Sequence, residues 1–198
     1  LHSPYLVTGL LQIPEGVTLK IEAGVKITFK PGSGIKNFGN VNIGEMNSPE
    51  PVLIEDLRQA DWFNGNGGLI SGVGRSNVSI ANSQVISKSQ DFLVYGCANL
   101  SISHSVISGF DRIVYQQECQ NLSIRDSYIL NVKYLYTCAF DGHPNTFILK
   151  NSIFEGTLNM CEDQNRTFDT YGFTNSPNIK TVFDISGNDF TNLPQINL

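Results

Sequence analysis

The chain of 198 residues contains little charge: only 16% of its residues are charged, and the formal net charge is −5. Nucleic-acid binding needs Lys and Arg clustered against the backbone phosphates, but the thirteen basic residues are scattered singly. From this composition we therefore do not expect nucleic acid as a partner.

Long apolar runs are also missing. No stretch approaches the roughly 18 uninterrupted apolar residues of a membrane-spanning helix. We therefore expect no membrane span in this chain, which could still form part of a larger protein.

Cysteines are few, and none has the spacing of a metal site. The four are Cys97, Cys119, Cys138 and Cys161. Without a C-x-x-C or H-x-x-x-H grouping we expect no metal and no cofactor, and we favour disulfides over metal binding or free thiols. N-x-S/T sequons, which direct N-glycosylation, begin at Asn77, Asn99, Asn121 and Asn165. Together these features favour a secreted protein or the extracellular portion of a membrane protein.

An internal repeat is present in the middle of the chain. Residues 77–86 read NVSIANSQVI, residues 99–108 read NLSISHSVIS and residues 121–130 read NLSIRDSYIL, so the step is 22 residues. A fourth copy is TFILKNSIFE at 146–155, and a weaker one is FDISGNDFTN at 183–192. Self-similarity at a fixed short period is typical of a solenoid.

Each repeat contains three short apolar segments separated by bends. An alternating pair such as Leu100 and Ile102 is typical of a strand with one buried face. Polar pairs such as His104-Ser105 bend the chain, and a second apolar pair follows. FLVY at 92–95, RIVY at 112–115 and KYLY at 133–136 supply the third strand. The pattern predicts an all-β, right-handed parallel β-helix with coils of about 22 residues and lateral loops.

We expect one domain over residues 1–198. Residues 1–46 form the opening coils, 47–62 a lateral loop with two prolines, and 63–198 the repeat coils, with an irregular loop at 155–178.

The segment SPYLVTGLLQIPEGVTLKIEAGVKITF resembles the first coils of secreted right-handed parallel β-helix repeat proteins. The later I-x-N-S-x-I pattern resembles their generic repeats. Cysteines and sequons make the chain similar to the β-helix segments of the animal junction protein family that includes bark beetle (Anakonda). The resemblance implies the fold, which adhesion proteins, carbohydrate-active enzymes and viral fibres share, and it leaves the function open.

Catalytic motifs of the β-helix pectinases are not found. Gly142-His143-Pro144 comes nearest to their Gly-His-Gly motif, and its proline departs from the pattern. Asp111-Arg112 and Arg125-Asp126 combine acid and base, but neighbouring residues of a strand face opposite sides, so we do not expect either pair to converge on a substrate. We therefore assign no catalytic residue.

Two other candidate sites have plain structural interpretations. His104 occupies the corner position held by Asn82 and Asp126 in neighbouring repeats, which favours a turn residue. A group of acidic residues borders the predicted irregular loop 155–178. We interpret it as part of a solvated loop and not as a calcium site. Its members are Glu155, Glu162, Asp163 and Asp169.

A column of tyrosines is predicted on the third strand, at Tyr95, Tyr115 and Tyr136. Stacked identical residues stabilise a solenoid, and if the rings face outward they could bind a glycan or a partner's edge. We favour the stabilising role and keep the binding ladder as an alternative.

Each cysteine follows the third strand of its coil, which predicts one column across four coils. Adjacent coils lie about 5 Å apart, within the reach of a disulfide, whereas next-nearest coils do not. We therefore predict Cys97–Cys119 and Cys138–Cys161. The same stacking crowds glycans at Asn77, Asn99 and Asn121, so Asn165 is the best glycosylation site.

The expected function is an extracellular, rigid recognition or adhesion module that presents a β-helix face to a protein or glycan partner. The alternative is a carbohydrate-active enzyme, a polysaccharide hydrolase or lyase, with an unrecognised site. We leave enzymatic activity open and do not favour it.

Overall fold

The computed structural model describes residues 3–58, 68–72, 76–89, 91–115, 121–136, 146–155, 159–161 and 182–191. All regular secondary structure in these ranges is β-strand. The strands are three to five residues long, as the short apolar segments of the repeat predict.

The strands follow one another in a regular order. The first nine are β1 (Tyr5–Val7), β2 (Leu10–Ile13), β3 (Thr18–Ile21), β4 (Lys26–Phe29), β5 (Gly34–Asn37), β6 (Asn40–Ile43), β7 (Val52–Asp56), β8 (Ile70–Gly72) and β9 (Asn77–Ala81). The next nine are β10 (Ser83–Ser87), β11 (Phe92–Tyr95), β12 (Asn99–Ser103), β13 (Val106–Ser108), β14 (Arg112–Tyr115), β15 (Asn121–Arg125), β16 (Tyr128–Leu130), β17 (Tyr134–Tyr136) and β18 (Thr146–Lys150). The last four are β19 (Ile153–Glu155), β20 (Asn159–Cys161), β21 (Val182–Ser186) and β22 (Asp189–Thr191).

Every third strand joins the same sheet, and all pairings are parallel. Sheet A has the order β1-β4-β7-β10-β13-β16-β19-β22, sheet B the order β2-β5-β8-β11-β14-β17-β20, and sheet C the order β3-β6-β9-β12-β15-β18-β21. A chain that visits three sheets in rotation and returns one strand further along each time is a parallel β-helix. The predicted fold class is confirmed.

The register in sheet C follows the sequence repeat. Asn99 pairs with Asn77 on one side and with Asn121 on the other, and both partners lie 22 residues away. Wider steps occur where residues are inserted, such as the 37 residues between Asn40 and Asn77. The register of sheet C is therefore kept across steps of different length.

The predicted lateral loop at 47–62 is wrong in its centre. Val52–Asp56 forms β7, a full member of sheet A, in which Val52 and Ile54 are buried. The strand was not predicted because two prolines and several charges surround its short alternation, V-x-I-x-D, and because the third inward residue of that alternation is an aspartate. Asn159–Cys161 is likewise a strand, β20, within the predicted irregular loop 155–178, most of which lies outside the described residues.

The core consists of columns of inward aliphatic and aromatic side chains. One column of sheet C contains Leu19, Val41, Val78, Leu100, Leu122 and Phe147. Its members from Val41 onward are at most 2% exposed. Full burial of one such side chain stabilises the fold by roughly 1.5–3 kcal/mol, so the alternating pattern in each coil is the main source of stability.

The corner between sheets C and A has a left-handed backbone in successive coils. Asn82, His104, Asp126 and Asn151 have φ between 43° and 50°, and Gly187 occupies the next corner. Asn and Asp tolerate this conformation because their side chains bond locally. At Gly44, φ is 75° and a Cβ would meet the carbonyl oxygen of Ala81 at 1.9 Å, so only glycine fits there.

Serines follow the corner residues and link the coils. The Oγ of Ser105, Ser127 and Ser152 each donates to the carbonyl two residues earlier and accepts from the backbone N–H of the matching serine in the preceding coil. Oγ of Ser105, for example, donates to Ser103 and accepts from Ser83 at 3.1 Å. The polar pairs of the repeat are therefore corner residues, as predicted.

A buried charge network replaces part of the apolar core beside β7. Arg58 makes a bidentate pair with Asp56 through bonds of 2.8 and 3.0 Å, and donates to the Gly68 carbonyl. The hydroxyls of Ser87 and Ser89 also donate to Asp56. Because these side chains are at most 8% exposed, the network holds β7 to its neighbouring coil away from solvent.

Candidate functional site

Two of the three predicted tyrosines stack on sheet B. Tyr95 of β11 pairs with Tyr115 of β14, and their ring centroids are 5.2 Å apart at 21°. The Phe92 ring stacks on Tyr115 at 4.6 Å and 10°. Tyr95 and Tyr115 are half-buried. The two tyrosines thus form the start of an aromatic surface.

Tyr136 is not in backbone register with Tyr95 and Tyr115. It pairs with Val114, one residue before Tyr115, while Tyr134 pairs with Arg112. Tyr115 follows Tyr95 by 20 residues and Tyr136 follows Tyr115 by 21, so equal motifs do not give equal registers.

Arg112 lies at the centre of the aromatic cluster. Its guanidinium carbon is 5.2 Å from the Phe92 ring centroid, 5.3 Å from Tyr115 and 5.1 Å from Tyr134. Its Nε donates to Asp111 Oδ2 at 2.9 Å. A guanidinium stacked among rings and paired with a carboxylate is held in one position, which fixes the rings around it.

Asp111 and Arg112 contact each other, although they are neighbours in the chain. Asp111 precedes β14 and Arg112 is its first residue, so strand alternation does not yet separate the two side chains. In the other pair, Arg125 bonds to Ser123 and Asp126 accepts from Asn151.

A groove of about 370 Å³ lies at the corner between sheets A and B. Its described lining comes from three successive coils: Ser87, Lys88, Gly109, Phe110, Asp111, Asn131 and Lys133. Lys88 is paired with Glu55 at 2.8 Å, and Lys133 Nζ lies 3.8 Å from Asp111 Oδ1. The groove thus contains the ammonium groups of Lys88 and Lys133 and the carboxylate of Asp111.

Two groove residues, Asp111 and Lys133, contact the aromatic cluster, so groove and cluster adjoin. Asp111 contacts Arg112 through one oxygen and Lys133 through the other, and Lys133 Nζ lies 5.0 Å from the Tyr134 ring centroid. We call the groove residues together with Tyr95, Tyr115 and Tyr134 the groove surface. It combines ring faces with hydrogen-bond donors and acceptors, which is the chemistry used to hold a polar ligand in place.

His104 is a corner residue, as the repeat position indicates. It is exposed, its φ is 50°, and its backbone N–H donates to the Arg125 carbonyl.

The repeat sequon asparagines form a continuous hydrogen-bonded ladder. Asn40 Nδ2 donates to Thr18 Oγ1 at 3.2 Å and Asn77 Nδ2 to Asn40 Oδ1 at 2.8 Å. Asn99 donates to Asn77, and Asn121 to Asn99, in the same way. The nitrogen that a glycan would modify is thus a ladder donor in all three repeats. Occupancy of these sites stays a prediction, and Asn165 lies outside the described residues.

The disulfide pairings also stay a prediction. Cys97 is fully buried, two residues before Asn99, and Cys119 is two residues before the paired Asn121. Cys161 ends β20 opposite Tyr136. Cys119 and Cys138 lie outside the described residues, as do Glu162, Asp163 and Asp169.

Other classes of site are not seen where the structure describes the chain. No group of three or more His, Cys, Asp or Glu side chains there could hold a metal ion. No helix within the described ranges could cross a membrane.

Comparison with known proteins identifies no relatives. No family model matches the chain, and neither the curated proteins nor the solved structures give a match. The fold is therefore shown by the structure, and the function must be inferred from the groove surface.

Proposed function

We propose that this domain is an extracellular recognition or adhesion module that presents its groove surface to a glycan or protein partner. The observation that carries the proposal is the joining of groove and aromatic cluster through Asp111. Half-buried rings beside charged and amide groups suit a ligand with both apolar faces and hydroxyl or carboxylate groups, as sugars have.

The scaffold suits recognition because it is stiff and extended along one axis. The Asn and Ser ladders tie each coil to the next, and solenoids use such stacked coils as elongated binding surfaces. Four cysteines, four sequons and the resemblance to secreted β-helix repeat proteins support an extracellular location.

Catalysis is less well supported than binding. Glycoside hydrolases generally need two carboxyl groups on either side of the scissile bond. Among the described lining residues of the groove, Asp111 is the single carboxylate, and Arg112 engages it. Binding without turnover is therefore the proposed activity.

A glycan array followed by titration of the best ligand tests the proposal. Lys133→Ala removes an ammonium group from the groove, and Tyr95→Ala removes a half-buried ring. Each should weaken binding about tenfold, because truncation of a central contact costs more than 1 kcal/mol. Tyr128→Ala is the control, since Tyr128 is 50% exposed on sheet A, outside the groove surface.

Thermal melting of each variant separates lost binding from lost folding. The proposal fails if folded Lys133→Ala and Tyr95→Ala bind as the unmodified protein does, or if Tyr128→Ala alone loses binding.

A further inference from the structure

The two lysines of the groove come from different coils. Lys88 directly follows β10, and Lys133 directly precedes β17, two coils further along the solenoid. The coil between them contributes Gly109 and Asp111 to the lining. Adjacent coils lie about 5 Å apart, so the backbones that carry the two lysines are about 10 Å apart. The two ammonium groups therefore belong to opposite sides of one intervening coil.

Gly109 leaves this intervening coil without a side chain at its corner. It follows Ser108, which pairs with Ile86 on one side and Leu130 on the other, so Gly109 matches Ser87 and Asn131 in the neighbouring coils. Its φ is 79°, and a Cβ there would lie 2.2 Å from the Ser87 carbonyl oxygen. Glycine is therefore required at this position, and the groove stays open between the two lysines.

Hydrogen bonds fix the backbone from which both lysines extend. The Lys88 N–H donates to the Asp56 carbonyl at 2.9 Å, and the serine hydroxyls on either side of Lys88 donate to the buried Asp56 carboxylate. The Lys133 N–H donates to the Phe110 carbonyl at 3.4 Å. A ligand that binds here has to order the two lysine side chains and not the chain that carries them, which keeps the entropic cost of binding low.

The charged side chains around the groove leave one positive charge in excess. The ammonium of Lys88 lies 2.8 Å from Glu55 Oε1, and the two side chains are 65% and 44% exposed. Arg112 engages one oxygen of Asp111 at 2.9 Å, while Lys133 Nζ, whose side chain is 56% exposed, lies 3.8 Å from the other. Among these five side chains, three cations face two carboxylates, although the whole chain has a net charge of −5.

We propose that the groove surface binds a glycan through a sugar residue with a single carboxylate, a hexuronic acid, held between Lys88 and Lys133. This inference rests on the proposed function and names the class of its ligand. Hydrogen bonds between ammonium groups and a carboxylate are stronger than those between neutral groups, so the carboxylate gives the site its preference. One excess positive charge matches one monoanionic sugar residue.

The neutral groups of the groove surface suit the rest of such a sugar. The side chain of Asn131 is exposed beside Lys133, and its amide can both donate to and accept from sugar hydroxyls. The half-buried rings of Tyr95 and Tyr115 offer apolar faces to a sugar ring. The volume of about 370 Å³ is at the small end of the range for ligand sites, which suits a short segment of a glycan.

Densely sulfated glycans fit this surface less well. Glu55 and Asp111 lie beside the two lysines, and the exposed Glu155 pairs with Leu130 in the next coil. These carboxylates repel a ligand that carries several negative charges on each sugar.

Titration with a matched pair of oligosaccharides tests the assignment. Oligogalacturonate and its methyl ester share one sugar backbone and differ in the charge of the carboxyl groups. The acidic form should bind about tenfold more tightly than the ester. The difference should shrink as the salt concentration rises, because salt screens exposed charges.

Charge-removing variants locate the carboxylate. Lys88→Gln and Lys133→Gln should each weaken oligogalacturonate binding about fivefold to tenfold and leave binding of the ester unchanged. Glu55→Gln should strengthen oligogalacturonate binding, because it releases the Lys88 ammonium from its partner. Lys26→Gln is the matched control, since Lys26 is exposed on β4, outside the groove lining, and the same charge is removed. Melting curves verify that all variants are folded.

The outcomes separate this inference from the proposed function. If the ester binds as tightly as the acid and Tyr95→Ala still weakens binding, recognition through the groove surface stands and the acidic-sugar assignment fails. An equal loss in Lys26→Gln, or tighter binding of a sulfated oligosaccharide of the same length, would also overturn the assignment. Absence of binding to every glycan tested would overturn the proposal of a glycan ligand itself.

Discussion

Asn77 donates a hydrogen bond of 2.8 Å from its side-chain Nδ2 to Oδ1 of Asn40, although 37 residues separate the two in the chain. The bond continues through Asn99 and Asn121, so the amides form one chain along the outside of sheet C. The same position therefore serves as both a glycosylation sequon and a structural ladder.

We predict that the ladder asparagines are poorly glycosylated. A glycan on Nδ2 of Asn99 would have to fit between Asn77 and Asn121, about 5 Å away on either side. Asn165 is outside the repeat positions and should carry the glycan. Glycopeptide mapping of protein from a eukaryotic host measures this, and full occupancy at Asn77, Asn99 and Asn121 with none at Asn165 would refute the prediction.

The left-handed corner predicts opposite effects of two substitutions at His104. Glycine adopts φ of about 50° freely, so His104→Gly should leave the free energy of unfolding unchanged or raise it slightly. His104→Val should lower it by about 1–2 kcal/mol, because a β-branched residue is strained there. Urea unfolding compares the two. Equal stability of both variants would contradict the corner role.

The buried pair of Asp56 and Arg58 should be far more costly to break than a surface pair. Asp56→Ala leaves the Arg58 guanidinium buried without its main partner and should cost about 3–5 kcal/mol. The matched control is Glu55→Ala on the same strand, which breaks an exposed pair with Lys88 and should cost about 0–1 kcal/mol. Similar losses in both variants would show that the network does not stabilise β7.

Asp91 should make stability depend on pH. Burial raises the pKa of Asp91 above its ordinary value of 3.8, and the backbone N–H of Phe92 and the Arg58 guanidinium offset this rise only partly. Between 3.8 and the raised pKa the folded state binds more protons than the unfolded state, so stability falls as pH rises through that interval.

Asp91→Asn removes the ionisation and should be more stable relative to the unmodified chain at neutral pH, with the difference shrinking as pH falls from the raised pKa to the ordinary one. Urea unfolding at a series of pH values measures that difference. A difference that stays constant with pH would contradict the assignment.

The repeat in the sequence was sufficient to predict the fold, since N-x-S-I-x-x-S in successive coils gives both the inward Leu and Ile positions and the corners. Strand β7 was not predicted from the sequence because its short V-x-I-x-D alternation lies between two prolines and a charged segment. Its last inward residue, Asp56, is also polar. No sequence pattern identified Arg58 and Asp91 as its buried neighbours, since their meeting depends on the stacking of coils.

The candidate site was only partly predictable for the same reason. Tyr95 and Tyr115 were found by matching strand motifs, but the register that pairs Tyr136 with Val114 depends on the number of residues in each loop. The role of Arg112 was missed because strand alternation seemed to separate it from Asp111. The groove residues come from three corners, and no local motif joins them.

The most direct test of the account is a screen of acidic and neutral polysaccharides that records both retention and turnover. The account predicts that at least one polysaccharide or related glycan is retained through the groove surface, with no release of reducing ends or unsaturated products. Clear turnover that a single point mutation abolishes would contradict it and would make the domain an enzyme.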